Sequence, residues 1–151
     1  MHSSPAGEYR FSEQIGHLLR RAYQRHVAIF RETVPDSQLT AAQFVVLCAV
    51  GAHESREVHD IVHETALDEP SVRGIVERLK WRKLVEVSHE PGDARQMQVT
   101  LTDAGKELIE RTVPFAKQIS ENTFGDLTAS ERAALLDLLR KISMGNPGEA
   151  E

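Results

Sequence analysis

The spacing of apolar residues along the chain predicts six helices and one pair of strands. In the first predicted helix, from about Ser12 to Thr33, apolar positions recur every three or four residues. They form one stripe, which comprises Phe11, Ile15, Leu18, Leu19, Ala22, His26 and Ile29. Such a stripe is typical of an amphipathic helix that packs along one face.

Three shorter helices are predicted next. The second helix begins at Thr40, where Thr-Ala-Ala-Gln has the form of a capping box, and ends near Gly51. Its inward residues are expected to be Phe44, Leu47, Cys48 and Val50. The third helix spans about Glu57 to Thr65. Asp68 caps the fourth helix, whose inner face comprises Val72, Ile75, Val76 and Leu79.

After Leu84 the period of the pattern changes from 3.6 to 2, which indicates strands. Two alternating runs, Val85–His89 and Met97–Leu101, flank the loop Glu-Pro-Gly-Asp-Ala-Arg and predict a β-hairpin. Two long helices, from about Thr102 to Phe124 and from Thr128 to Ser143, complete the chain. The predicted fold class is therefore mainly α with a small β-hairpin.

Composition adds bounds to this picture. The 151 residues suit one domain, and 40% hydrophobic with 27% charged residues is ordinary for a soluble globular protein. There is no run of eighteen apolar residues and no apolar core of a signal peptide near the N-terminus. The single cysteine, Cys48, excludes an intrachain disulfide and fits a reducing compartment. We therefore expect a cytoplasmic protein with no membrane partner.

The fourth helix carries the candidate chemistry. The segment Asp68–Leu84 holds five basic and three acidic residues, a local balance of +2 in a chain of net charge −5. Its residues Pro70, Ser71, Arg73, Gly74 and Arg78 flank or lie opposite the apolar face. Such a helix can enter the major groove of double-stranded DNA, where Arg reads guanine and Ser holds phosphate. The alternative is a solvated helix face with ordinary charges.

Two short helices followed at once by a hairpin are the order of a winged helix-turn-helix. The hairpin run D-A-R-Q-M-Q-V-T-L-T-D-A-G, with Asp93 and Arg95 at its tip, resembles the wing signature of the MarR family. Regulators of that family carry D-x-R at the wing and L-T-x-x-G at the start of the next helix. The resemblance covers about Phe11 to Ile142.

This resemblance implies a homodimer built from one MarR-like domain over residues 1–151. Residues 11–34 and 102–143 would form a helical dimerisation region, and residues 39–101 the winged helix-turn-helix that binds DNA. Arg95 would reach into the minor groove, and Asp93 would orient neighbouring basic groups or tighten the wing. A local ion pair between Asp93 and Arg95 is the alternative.

The chain departs from the family pattern in three places. Lys83 stands where glycine often ends the recognition helix, so this helix is expected to end differently. Arg73-Gly74 replaces the common Ser/Thr-Arg, so a base preference does not carry over. Arg95 is nearly the only basic residue of the wing.

A cationic cluster beside the apolar stripe of the first helix, formed by His17, Arg20 and Arg21, could capture a small aromatic carboxylate, the effector that many MarR-like regulators sense. The segments EQIGHLLRRAYQRHVAIF and SVRGIVERLK resemble regulators of nicotinate degradation in proteobacteria. This resemblance implies a hydroxylated nicotinate as the effector. An ordinary solvated basic face is the alternative.

The remaining signals are weaker. His59 and His63 lie one helical turn apart, a spacing that can chelate zinc, but a third ligand is not evident and surface histidines are the alternative. Cys48 is either a peroxide sensor or a structural cysteine. We expect no catalytic residues, metal or cofactor. The sequence thus predicts a repressor that an aromatic acid releases from a pseudo-palindromic operator; the alternatives are a redox- or metal-responsive regulator and a winged-helix protein-interaction module.

Overall fold

The computed structural model describes residues 7–90 and 92–144, without the side chains of Glu90, Asp93, Ala94 and Arg95. Helices and strands follow one another within this part of the chain as α1 (Ile15–Thr33), α2 (Ala41–Gly51), β1 (Arg56–Glu57), α3 (Val58–Thr65), α4 (Glu69–Trp81), β2 (Val85–Glu90), β3 (Asp93–Leu101), α5 (Asp103–Phe124) and α6 (Ala129–Ser143). This order confirms the predicted mainly α fold with a β-hairpin.

Side-chain caps begin four of these helices. The capping boxes predicted at Thr40 and Thr128 are confirmed, because each hydroxyl accepts the third backbone N–H and the third side chain accepts the N–H of the cap. The carboxylate of Asp68 accepts the N–H of Ser71 at 2.8 Å. Thr102 in turn accepts the N–H of Gly105 and begins α5. Local sequence therefore fixes where these helices start.

The first helix starts later than predicted. A short 3-10 helix occupies Phe11–Glu13, and Gln14 is extended at φ −85° and ψ 148° before α1 begins at Ile15. The predicted start at Ser12 is therefore wrong. The N–H of Gln14 bonds to the carbonyl of Phe11 at 3.1 Å, which closes a tighter turn than an α-helix has.

The sheet is antiparallel with the order β1-β3-β2. Val99 is central to it, opposite Val87 on one side and Arg56 on the other. The hairpin of β2 and β3 confirms the predicted strand pair, but the predicted loop is too long, because Glu90 belongs to β2 and Asp93, Ala94 and Arg95 belong to β3. Strand β1 was not predicted, because two residues are too few for a period-of-two pattern to show.

The core lies between α2, α3, α4 and the sheet. Its fully buried side chains include Val46, Leu47, Val50, Ile61, Val72, Val76, Leu79, Val85 and Val99. The inward set predicted for α2 needs correction: Val46 and Ala49 are buried, whereas Phe44 and Cys48 are only half-buried. Because α2 is apolar on nearly all sides, its periodicity does not identify the buried face.

The stripe of α1 is largely uncovered in the single chain. Ile15 and Leu18 are 63% and 50% exposed, and α6 contributes no buried residue in the part of the chain that is described. Apolar side chains of α1, α5 and α6 line an open groove of about 480 Å³. One chain alone therefore leaves a long apolar surface in contact with water.

Helix α4 ends in a Schellman motif. Lys83 has φ +60°, its N–H bonds to the carbonyl of Lys80, and the N–H of Leu84 bonds to the carbonyl of Leu79 at 3.0 Å. The expectation that a lysine here makes the helix end differently is wrong. Lys83 adopts the left-handed conformation that glycine favours, at a cost of about 1 kcal/mol.

No helix of the described residues is both long enough and apolar enough to span a membrane.

Candidate nucleic-acid interface

Helix α4 is fixed to the core by Val72, Val76 and Leu79, which are fully buried. Its opposite face is exposed at Pro70, Ser71, Gly74 and Arg78, four of the five residues predicted to contact DNA on this helix. These four line one open concavity of about 420 Å³, together with Thr40, Ala42, Gln43, Leu67 and Ile75. The structure thus brings the start of α2 and the outer face of α4 together.

Arg73, the fifth predicted residue, lies on the other side of α4 and is half-buried. Its Nη2 and Nε donate to Oε1 of Glu69 at 2.9 and 3.2 Å, and its Nη1 lies 3.5 Å from Sδ of Met97 on β3. The guanidinium therefore joins α4 to β3 of the hairpin. Its predicted role in contacting DNA stays a prediction.

Arg78 has a different environment. It is exposed, and within the described part of the chain its guanidinium forms no hydrogen bond or ion pair. An exposed guanidinium keeps all its donors for an external acceptor such as a phosphate or a guanine edge. The first turn of α4 offers few free donors beside it, because Pro70 has no N–H, the N–H of Ser71 bonds to the carboxylate of Asp68 and that of Val72 bonds to the carbonyl of Asp68.

The wing residues Asp93 and Arg95 both lie on β3, close to the turn at its tip. Asp93 pairs with Glu90, and the register shifts between His89 and Glu90. Gly92 has φ +91°, which a glycine adopts without strain. The side chains of Asp93 and Arg95 lie outside the described residues, so their contacts with DNA or with each other stay predictions.

The L-T-x-x-G part of the motif has a structural role. A Cβ at Gly105 would lie 2.3 Å from the carbonyl oxygen of Leu84, so no larger residue fits without a shift of the backbone. Thr102 donates its N–H to that oxygen and its hydroxyl to the carbonyl of Lys83, at 3.1 and 2.8 Å. The motif therefore docks the start of α5 onto the end of α4 at the base of the wing.

A cavity of about 460 Å³ lies between α5 and the loop that follows α1. It is lined by Pro35, Asp36, Leu108, Arg111, Thr112 and Phe115. The lining combines apolar surface with one cation, one hydroxyl and one carboxylate, so a small aromatic acid fits if its own carboxylate faces Arg111 and not Asp36. The sequence contained no signal for this site, because no periodic pattern joins the loop at Asp36 to the middle of α5.

Asp36 connects this cavity to α4. Its Oδ2 accepts a hydrogen bond from Nη2 of Arg82 at 2.5 Å. Burial acts to raise the pKa of Asp36, but the bond and charge of Arg82, with the N–H groups of Gln38 and Leu39, lower it overall. Asp36 is thus a stable anion at neutral pH.

The predicted effector cluster is placed on one side of α1. His17 is half-buried with its ring edge-on to Phe11 at 5.3 Å between centroids, and Arg20 and Arg21 are exposed. Helical geometry puts all three within an arc of roughly 100°. They do not line the cavity beside Arg111, so their role toward an effector stays a prediction.

The candidate sensing residues are also located. Cys48 is half-buried, and burial raises the pKa of its thiol, which disfavours the reactive thiolate. His59 and His63 are exposed on α3. Among the described residues, no three His, Cys, Asp or Glu side chains group in a way that could hold a metal.

The sequence and the fold both resemble known regulators. The model of the MarR family matches residues 37–96, from the loop before α2 into β3. The HTH-type transcriptional repressor NicR of Pseudomonas putida is 51% identical over 134 residues, which cover 89% of this chain and 85% of that repressor.

Two solved structures are similar over nearly their whole length. One concerns regulation of DNA binding of Bordetella bronchiseptica BpsR by 6-hydroxynicotinic acid; its TM-score is 0.86 at 58% identity, covering 91% of this chain and 99% of that one. The other is a mutant MarR from E. coli complexed with operator DNA, with a TM-score of 0.78 at 27% identity, covering 89% of this chain and 99% of that one.

Proposed function

The chain belongs to the MarR family of transcriptional regulators, and from this premise we propose that it is a dimeric repressor that a small aromatic acid releases from DNA. The observation that carries the proposal is the outer face of α4. This face presents the small residues Ser71 and Gly74 beside the start of α2, and Arg78, whose guanidinium forms no hydrogen bond or ion pair among the described residues.

In the proposed complex, α4 lies in the major groove and the wing follows the adjacent minor groove. Arg78 and Ser71 bind base edges and phosphates, and Arg95 contributes a minor-groove contact. Arg73 supports this arrangement from the side, since its contacts with Glu69 and Met97 hold α4 and β3 together. The negative total charge of the chain does not oppose binding, because phosphates respond to the local surface.

The dimerisation region is proposed to comprise residues 11–34 and 102–143. The groove between α1, α5 and α6 is apolar, and α6 buries none of its side chains in the single chain. A second copy with the same surface would cover both grooves by twofold symmetry. Two heads of residues 39–101 would then present their α4 helices about one turn of DNA apart.

The effector is proposed to be a hydroxylated pyridine carboxylate, of the kind that regulates BpsR. We place its ring in the cavity between α5 and the loop after α1, against Leu108 and Phe115, with its carboxylate toward Arg111. The cluster of His17, Arg20 and Arg21 is the alternative anchor. A ligand in this cavity touches Asp36, whose partner Arg82 is the residue that follows α4.

Fluorescence anisotropy of a labelled duplex from the region upstream of the gene tests this function. The duplex should bind at physiological salt, and 6-hydroxynicotinic acid should weaken binding at least tenfold, whereas benzoate should act less strongly. Arg111→Ala should abolish the ligand response without a loss of DNA affinity. If Arg20→Ala abolishes the response instead, the cluster of His17, Arg20 and Arg21 is the anchor. A chelator and a thiol oxidant test for a metal- or redox-responsive regulator, and neither should change the DNA affinity. No binding to any duplex would refute the proposal.

A further inference from the structure

The outermost line of α4 comprises Pro70, Gly74, Glu77 and Trp81, which follow one another at steps of three and four residues. All four are exposed, and Trp81 is 79% exposed. This line lies opposite the buried Val72, Val76 and Leu79. It is therefore the part of the helix that would come nearest to the floor of a groove.

Gly74 has no explanation within the fold. Glycine inside a helix costs about 0.5–1 kcal/mol relative to alanine. A Cβ added at Gly74 would meet no atom within 4 Å, so neither packing nor backbone strain requires the glycine. In a complex, the missing side chain would let the backbone of α4 approach a partner closely, which would bring the neighbouring Glu77 to the partner's surface.

Glu77 is an anion on that surface. Within the described residues its carboxylate forms no hydrogen bond or ion pair, although Lys80 lies three residues after it. Arg73, four residues before it, is already bound to Glu69. A free carboxylate here repels phosphates and weakens binding to DNA in general, unless a donor in the groove compensates it.

The major groove offers such a donor. The N4 amino group of cytosine donates a hydrogen bond, and carboxylates accept from it. Guanine presents only acceptors there, thymine presents an acceptor and a methyl group, and the amino group of adenine lies beside the N7 acceptor. A carboxylate in the groove therefore favours cytosine.

We propose that Glu77 is a specificity-determining residue that accepts a hydrogen bond from the N4 amino group of one cytosine in each half-site. The inference rests on the proposed DNA-binding function and adds the base preference of one helix position. Glu77 thereby lowers affinity for most sequences while it favours a single base at one place.

Selection of duplexes from a random library, with the full-length protein, tests the inference. The wild type should enrich a motif with one strongly preferred cytosine in each half-site. Glu77→Gln should change that cytosine to adenine, because glutamine pairs with the N6 and N7 groups of adenine. Glu77→Ala should leave this position without preference. In both protein variants the preferences at the other positions of the motif should stay unchanged. The ratio of affinity for the wild-type motif to affinity for the same motif with thymine in place of that cytosine should fall about tenfold.

Glu107→Gln, an exposed residue on α5, changes the charge by the same amount and should leave the motif as it is. If both Glu77 variants enrich the wild-type motif, or weaken every position equally, the inference is wrong and the proposed function stands. If the wild type enriches no sequence, the proposed function itself fails.

Discussion

The guanidinium of Arg82 lies 2.5 Å from the carboxylate of Asp36 and joins the end of α4 to the loop after α1. The two side chains are 29% and 22% exposed, and the second terminal nitrogen of Arg82 is buried without a hydrogen-bond partner among the described residues. The pair is a direct connection between the cavity beside α5 and the recognition helix.

Loss of one member of this pair should destabilise the fold. Asp36→Asn leaves a partly buried guanidinium without its counter-ion, and we expect the free energy of unfolding to fall by about 1–3 kcal/mol. Lys106→Ala removes a pair that is 63% and 100% exposed and should change stability by less than about 0.5 kcal/mol. Urea unfolding at one fixed protein concentration measures the stability of both variants. Equal losses would contradict the stabilising role of the pair between Asp36 and Arg82.

The same pair gives a pH dependence with a defined sign. Because the pKa of Asp36 is lower in the folded protein than in the unfolded chain, its ionisation stabilises the fold above the unfolded pKa of about 3.9. This contribution is lost as the pH falls through the folded pKa. The difference in melting temperature between wild type and Asp36→Asn should therefore be constant near pH 6–7 and shrink below about pH 4. A difference that grows on acidification would show the opposite linkage.

Two glycine-to-alanine changes on helices should have opposite effects on stability. Gly105→Ala forces a Cβ against the carbonyl oxygen of Leu84 and should cost about 1–3 kcal/mol. Gly74→Ala adds a methyl group in open space and should raise stability by about 0.5–1 kcal/mol. Thermal unfolding of the two variants checks the contrast. Destabilisation by Gly74→Ala would mean that the glycine has a role inside the fold.

The wing arginine should contribute to DNA affinity. We expect Arg95→Ala to weaken binding by about 1–3 kcal/mol and to reduce the slope of log affinity against log salt by about one. Arg31→Ala, an exposed change at the end of α1, is the charge-matched control and should leave the slope unchanged. Anisotropy titrations from 50 to 300 mM salt measure both. Unchanged affinity of Arg95→Ala would remove the wing from the interface.

The sequence predicted what local signals encode. Caps at Thr40, Asp68 and Thr128 fixed helix starts, and the change of period after Leu84 revealed the hairpin. The exposed face of α4 was predicted correctly from the positions of its apolar residues. Strand β1 could not be predicted, because it exists only through pairing with Val99 and Gln98, more than forty residues away.

Contacts between residues that are distant in sequence could not be predicted either. The bond between Arg73 and Met97, the pair of Asp36 with Arg82 and the cavity beside Arg111 all depend on how elements pack. Lys83 shows the reverse case. Its residue type argued against a left-handed helix end, yet the hydrogen bonds of Leu84 and Thr102 around it impose that conformation.

In the proposed complex, two chains joined through α1, α5 and α6 hold one duplex with two α4 helices. Sedimentation equilibrium of the protein with a stoichiometric labelled duplex, with and without 6-hydroxynicotinic acid, measures this stoichiometry and its response to the acid. We expect a protein of twice the chain mass, a complex of two chains per duplex, and free duplex beside intact dimer once the acid is added. A monomeric protein, or a complex that the acid leaves unchanged, would contradict the proposal.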